Sequence, residues 1–190
     1  MQKALPLDAL EKAVREAADP IAASMGLIVW GVEFVCGGRM VVRIYVDKDS
    51  SRESVLDDVD DAGSQGGVSE EQCAEISRLV GLALDVEDVM PGAWVLEVSS
   101  PGFERVFFSA GQMRPYIGRE VDIALADPHP DFIGRRRFKG PLRAVEKDSF
   151  AVEILPAPCP GQEQRPVLAD IRWNMVKKAH LVHVFPQPGR

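Results

Sequence analysis

The chain has 190 residues, 46% hydrophobic and 27% charged. That length suits one large domain or two small ones, and the composition excludes wholesale disorder and fibrous architectures. With 22 Lys and Arg against 29 Asp and Glu, the net charge of −7 excludes a global attraction to nucleic acid and confines any RNA contact to a local patch.

The first apolar stripe is Leu7, Leu10, Val14, Ala17, Ile21 and Met25, spaced by three or four residues. It predicts a helix closed by Gly26, and Pro20, which has no N–H, predicts a kink or split near Ala18. Two alternating runs, 27–36 and 40–47, flank Gly37-Gly38 as a hairpin. Pairing Cys36 with Met40 aligns Phe34 with Val42, Val32 with Ile44 and Trp30 with Val46, whereas a two-residue loop mixes the faces. This register sets Glu33 opposite Arg43, an ion pair of ~0.2–1 kcal/mol, and makes Cys36 a core residue.

Residues 50–67 hold Glu53, Asp57, Asp58, Asp60 and Asp61 with three glycines and little to bury. Calcium binding fits poorly, because Ala62 stands where a ligand is wanted and no glutamate closes a 12-residue frame from Asp58. A solvated acidic loop is expected. Ser69 and Gln72 then spell a capping box, with Val68 and Cys73 as its hydrophobic staple. The following helix buries Cys73, Ile76, Val80 and Ala83, so Cys73 is a poor nucleophile candidate. Pro91-Gly92 turns the chain into a strand at 93–100, with Trp94, Leu96 and Val98 on one face. Two helices covering one sheet are expected.

Beyond Gly118 the pattern changes to five short strand-like runs, 121–125, 135–142, 150–155, 167–171 and 181–185, which suggest a small barrel. Residues 156–166, rich in proline and carrying Cys159, read as an exposed loop. Charge divides along the same line. Residues 1–116 carry 10 basic and 20 acidic side chains, the remainder 12 and 9, giving −10 and +3. The expected organisation is α+β: an N-terminal two-layer α/β sandwich over 1–99, an interdomain turn and linker over 100–116, and a C-terminal barrel over 117–190.

Catalytic signatures are missing from the text of the chain. Neither GxGxxG nor GxxxxGK[ST] occurs, and Ser99-Ser100-Pro101-Gly102 is no GxSxG elbow. His180 and His183 would point to opposite faces of a strand, and His129 lies between two prolines. The three cysteines, Cys36, Cys73 and Cys159, lack metal spacing and read as reduced thiols. No enzyme activity, metal or cofactor is expected. No apolar run approaches the ~20 residues of a membrane span, and Met1 to Asp8 lacks a signal-peptide layout. A cytoplasmic, monomeric protein without membrane contact is expected.

Two segments remain as candidate binding residues. Arg135, Arg136, Arg137 and Lys139 are the concentrated positive stretch, and in an extended strand Arg135, Arg137 and Lys139 share a face that could contact phosphates or simply be solvated. Ser99, Ser100, Pro101 and Gly102 end a strand in a turn, with Arg105 just beyond. Pro101 fixes φ and Gly102 permits a positive one, as a type II turn requires.

The string Leu96-Glu97-Val98-Ser99-Ser100-Pro101-Gly102 resembles the signature of the ribosome maturation factor RimP family. Gly31-Val32-Glu33-Phe34, Arg43-Ile44-Tyr45-Val46-Asp47, Leu84-Asp85-Val86-Glu87-Asp88 and Ala179-His180-Leu181-Val182 agree in order, so the resemblance runs from about Pro6 to Phe185. The family's Pro-Gly-Leu-Asp-Arg-Pro-Leu stands here as Pro101-Gly102-Phe103-Glu104-Arg105-Val106-Phe107, with the second proline lost.

The resemblance implies an α/β sandwich followed by an Sm-like or SH3-like barrel. It also implies a non-catalytic role in late maturation of the small (30S) ribosomal subunit. The partners it implies are the free subunit and the small ribosomal protein near the decoding centre; the +3 balance of residues 117–190, with Arg135 to Lys139, makes small-subunit rRNA a further expected contact. The alternative is an autonomous Sm-type RNA-binding regulator that does not act on the ribosome. An enzyme acting on RNA is a remoter one.

Overall fold

The first apolar stripe winds into one uninterrupted helix, α1 (Leu7–Ser24), in the computed structural model, which describes residues 6–48, 67–90, 92–155 and 165–183. The expected break at Pro20 does not split it. Pro20 and Glu16, whose carbonyl loses its intrahelical donor, both lie on the exposed side of α1, where water can replace the missing bond. Leu10, Val14, Ala17, Ala18 and Ala22 form the buried stripe, while Leu7 stays half exposed.

The hairpin strands β1 (Leu27–Cys36) and β2 (Met40–Lys48) pair in the expected register from Cys36–Met40 through Phe34–Val42 to Val32–Ile44. The expected Trp30–Val46 pair is replaced by a bulge: Val29 faces Val46, Gly31 faces Tyr45, and Trp30 is the extra residue. One inserted residue reverses the side-chain parity beyond it. Leu27 and Val29 therefore join the core in place of Ile28, and Trp30 is still only 8% exposed.

Helix α2 (Glu70–Glu87) begins as its sequence prescribes. The Gln72 amide donates to Ser69 Oγ at 3.2 Å and the Ser69 amide to Gln72 Oε1 at 3.0 Å. Ile76, Val80 and Leu84 are fully buried, with Leu84 taking the depth expected of Ala83. Strand β3 (Trp94–Ser99) runs parallel to β2, giving the order β1-β2-β3. Both helices share one hydrophobic core with this sheet, including Trp94, Leu96 and Val98, which is the two-layer α/β arrangement. Cys73 packs partly buried at its margin, and burial, reinforced by Glu70, pushes its thiol pKa up, away from reactivity.

The chain divides into two units, Met1–Pro101 and Gly102–Arg190. In the second, β4 (Glu120–Leu125), β5 (Arg137–Val145), β6 (Ser149–Ile154), β7 (Val167–Arg172) and β8 (Val176–Leu181) form an antiparallel sheet in the order β7-β6-β5-β4-β8. It curls around Val121, Ile123, Phe138, Leu142, Phe150, Val152 and Ile171, all buried. A bulge between Leu142 and Ala144 lets β5 leave β4 and pair with β6. Only glycine fits at 140, because a Cβ there would stand 1.9 Å from the Glu153 carbonyl oxygen.

The expected barrel is not closed: among the described residues no ladder joins β7 to β8. Two strand assignments also move. The last described strand is 176–181, placed by the inward Ala179 opposite Ile123, where 181–185 was expected; residues 184 and 185 of that run lie outside the described residues. Strand β5 starts at Arg137, so Arg135 and Arg136 stand in the preceding loop.

Within 100–116, Phe107, Ala110 and Met113 are buried in the second unit. The Phe107 amide donates to Ala179 O and the Leu181 amide to Arg105 O, both at 2.9 Å, along the outer edge of β8. The acidic stretch up to Gly66, residues 156–164 with Cys159, and the side chain of Cys36 lie outside the described residues.

Candidate functional site

Ser99 ends β3 opposite Tyr45, Ser100 is exposed, Pro101 is buried, and Gly102 takes φ +67°, in the left-handed region that favours glycine, ahead of a bend at Phe103 and Glu104. Ser99, Ser100 and Pro101 belong to the first unit and Gly102 and Arg105 to the second. In the second unit the Arg105 guanidinium carbon lies 5.9 Å from the Tyr116 ring centroid. In the first, Ser99 and Ser100 line one side of a shallow groove whose other wall is Cys73, Ala74 and Ser77 of α2.

The positive stretch is organised by its own acceptors. Arg137 reaches from β5 to Asp122 on β4, with Nε 2.8 Å from Oδ1. Asp122 is an outward residue of β4, yet only 5% exposed, because Arg137 covers it. The guanidinium holds the Asp122 carboxyl below the usual carboxylate range, against the opposing pull of burial, and Arg137 is raised in turn. Lys139 Nζ lies 3.3 Å from Glu120 Oε1. Arg135 donates through Nε to Arg137 O and through Nη1 to Leu155 O, both at 3.0 Å, and its guanidinium carbon lies 5.1 Å from the Phe138 ring centroid.

The single row expected of Arg135, Arg137 and Lys139 is therefore not formed: Arg135 is turned into loop contacts, while Arg137 and Lys139 are paired across β4. Arg136 is exposed and has no intramolecular acceptor among the described residues.

Sequence reasoning missed what β8 adds. Register places Lys178 beside Ala124 and His180 beside Asp122, on the strand edge opposite to β5. The adjacent Lys177 and Lys178 between Val176 and Ala179 break the period-2 alternation, so the linear text carries no clear strand signal here. His180 Nδ1 is buried without a hydrogen-bond partner among the described residues. His183 lies past the strand end, its ring 5.3 Å from that of Phe103.

His129 is a structural residue. Its Nδ1 accepts the Asp131 amide at 3.1 Å, so its Nε2–H donates to the Asp170 carbonyl at 2.9 Å, tying the β4–β5 loop to β7. Among the described residues no three His, Cys, Asp or Glu side chains converge as a metal-binding group, and no helix is long and apolar enough to cross a membrane.

The family model for the RimP N-terminal domain matches residues 17–104. The chain is 47% identical over 181 residues, 95% of each protein, to a ribosome maturation factor RimP of Nitratidesulfovibrio vulgaris strain DP4. It is 35% identical to the ribosome maturation factor RimP of Lawsonia intracellularis over 96% of this chain and 91% of that one. To the factor of the same name from Desulfovibrio desulfuricans it is 33% identical, over 96% and 83%. These likenesses run through both units, well past the end of the family model.

Proposed function

Because the chain belongs to the ribosome maturation factor RimP family, we propose that it serves late assembly of the small (30S) ribosomal subunit in the cytoplasm. In this reading it binds the free subunit and the small ribosomal protein near the decoding centre, as a monomer, making and breaking no covalent bond. The observation that carries the reading is the end-to-end likeness to proteins named ribosome maturation factor, over 95% of both chains.

Electrostatics supports a division of labour. The first 116 residues carry −10, and an acidic surface speeds encounter with a basic ribosomal protein while repelling RNA. The remainder carries +3, with an uncompensated Arg136 and the lysines of β8 on its surface, and suits contact with rRNA phosphates.

Separation of ribosomal particles on a sucrose gradient tests the reading. The protein is expected in the small-subunit fraction and absent from joined ribosomes, and cells lacking it are expected to accumulate immature small subunits. Sedimentation with small RNAs in a ring-sized particle, away from subunits, would replace the reading with that of an autonomous regulator.

A further inference from the structure

Three strands of the second unit bring together cations that are far apart in sequence. On the outer face of β5-β4-β8, Ala124 has Arg137 on one side and Lys178 on the other, and in the next row Asp122 lies between Lys139 and His180. These positions alternate with the buried Ile123, Phe138 and Ala179, so they face outward. A register shift on β8 inserts the exposed Lys177 between Val176, which pairs with Leu125, and Lys178, which pairs with Ala124. Arg136 stands just before β5 at the same end, but opposite the inward Leu125, whose amide its carbonyl accepts, so it is not part of this face.

The acids on these strands are Glu120 and Asp122, and they are engaged by Lys139 and Arg137. Lys177 and Lys178 have no intramolecular acceptor among the described residues. Arg137 keeps a side chain 73% exposed although Asp122 fixes its direction. It is thus a pre-oriented donor roughly 10 Å, two strand spacings, from Lys178. Between them Ala124 contributes only a methyl, leaving a shallow floor. The outward positions 120, 122, 124, 137, 139, 141, 178 and 180 hold no Phe, Tyr or Trp, so the face offers charge without an aromatic stacking platform.

We infer that this face is a contact surface for the RNA sugar-phosphate backbone. Lys177 and Lys178 carry the phosphate contacts, and Arg137 adds one held in place by Asp122. Binding here is independent of base sequence and falls with salt, since its free energy comes from released counterions. The inference rests on the proposed role at the small subunit and goes further by placing the contact on one face and naming the residues that make it.

The test uses the full chain, a fluorescein-labelled 20-nucleotide RNA of mixed sequence read by fluorescence anisotropy from 50 to 200 mM salt, and a parallel pelleting assay with purified small subunits. The double variant K177A/K178A is expected to bind this RNA about tenfold more weakly at the low-salt end and to lose roughly 1.4 from the salt slope, ~0.7 per contact. The charge-matched double variant K147A/R172A, at exposed positions off this face, is expected to bind within about twofold of the parent. Equal losses in both double variants, unchanged binding in K177A/K178A, or no RNA binding by the parent overturns the inference.

The pelleting arm separates the two ideas. A parent that pellets with subunits while K177A/K178A leaves RNA affinity unchanged defeats the face and leaves the role intact. A parent that does not pellet, with RNA affinity still lost in K177A/K178A, defeats the role and supports the face.

Discussion

Asp122 and Arg137 meet diagonally across β4 and β5, the Arg137 Nε 2.8 Å from Asp122 Oδ1, so that a carboxylate on an outward strand position is buried by the cation it orients. The pair makes Arg137 both a structural and a binding group. Replacing Arg137 by Ala is expected to lower the thermal midpoint of the full chain as well as its RNA affinity, because Asp122 loses the ion pair that favours its charged form and the arginine stem that packs over it. Replacing the unpaired Arg136 by Ala is expected to leave the midpoint within about one degree, as for surface sites without such partners. Thermal unfolding followed by circular dichroism distinguishes the two, and equal midpoints would remove the structural role of Arg137.

The same pair sets a pH dependence. The folded-state pKa of Asp122 is depressed by Arg137. Its contribution is therefore complete above the unfolded value near ~3.9 and is lost as the pH falls through the lower folded value. Asp122→Asn is expected to flatten the acid limb of a midpoint-against-pH profile below about pH 4 relative to the parent, and to lower the midpoint at neutral pH. Parallel profiles for parent and variant would show that the ion pair does not persist in solution.

Ser69 closes a reciprocal cap with Gln72. Ser69→Ala is expected to cost about 1 kcal/mol in a urea titration, the usual loss of a hydroxyl N-cap, while Ser69→Asp should retain most of the stability. A cost far below this in Ser69→Ala would mean that α2 is held by its buried face alone.

At Gly140 no side chain fits, since a Cβ meets the Glu153 carbonyl at 1.9 Å. Gly140→Ala is expected to destabilise the second unit by about 1–3 kcal/mol or more through forced separation of β5 and β6. Gly81→Ala, in α2 with nothing near its Cβ, is expected to stabilise by up to about 1 kcal/mol. Urea titrations of both variants check the contrast.

Arg43 bridges Glu33 at 3.0 Å and Glu97 at 2.7 Å across all three strands of the first sheet. Because these side chains are about one third exposed or more, Arg43→Ala is expected to cost only about 0.2–1 kcal/mol, with the effect shrinking in high salt. A salt-insensitive loss would point instead to packing by the arginine stem.

Local chemistry was enough for much of this. The capping box at Ser69, the Cys36–Met40 register and the Glu33–Arg43 pair involve residues close in the chain, or on one hairpin, where a single alternation rule fixes which face each side chain takes. The family signature around Ser99 to Gly102 was likewise written in consecutive residues. Where the reading failed, a distant partner had decided the outcome. Pro20 is tolerated because its side of α1 meets water, and Trp30 bulges so that Leu27 reaches the core. Strand β8 is placed by Ala179 against Ile123.

For this protein, then, the sequence by itself determined the order of the elements, the two charged halves and the family, all of which follow from composition and short-range pattern. The tertiary structure alone decided which cations are free. Arg135, Arg137 and Lys139 read as one row in the linear text, but acceptors on β4 and in the chain after β6 neutralise or redirect them. Lys177 and Lys178, unmarked in the sequence, come to stand beside Arg137 because β4 runs between them. Charge acts through distance in space, and only the strand order converts positions along the chain into such distances.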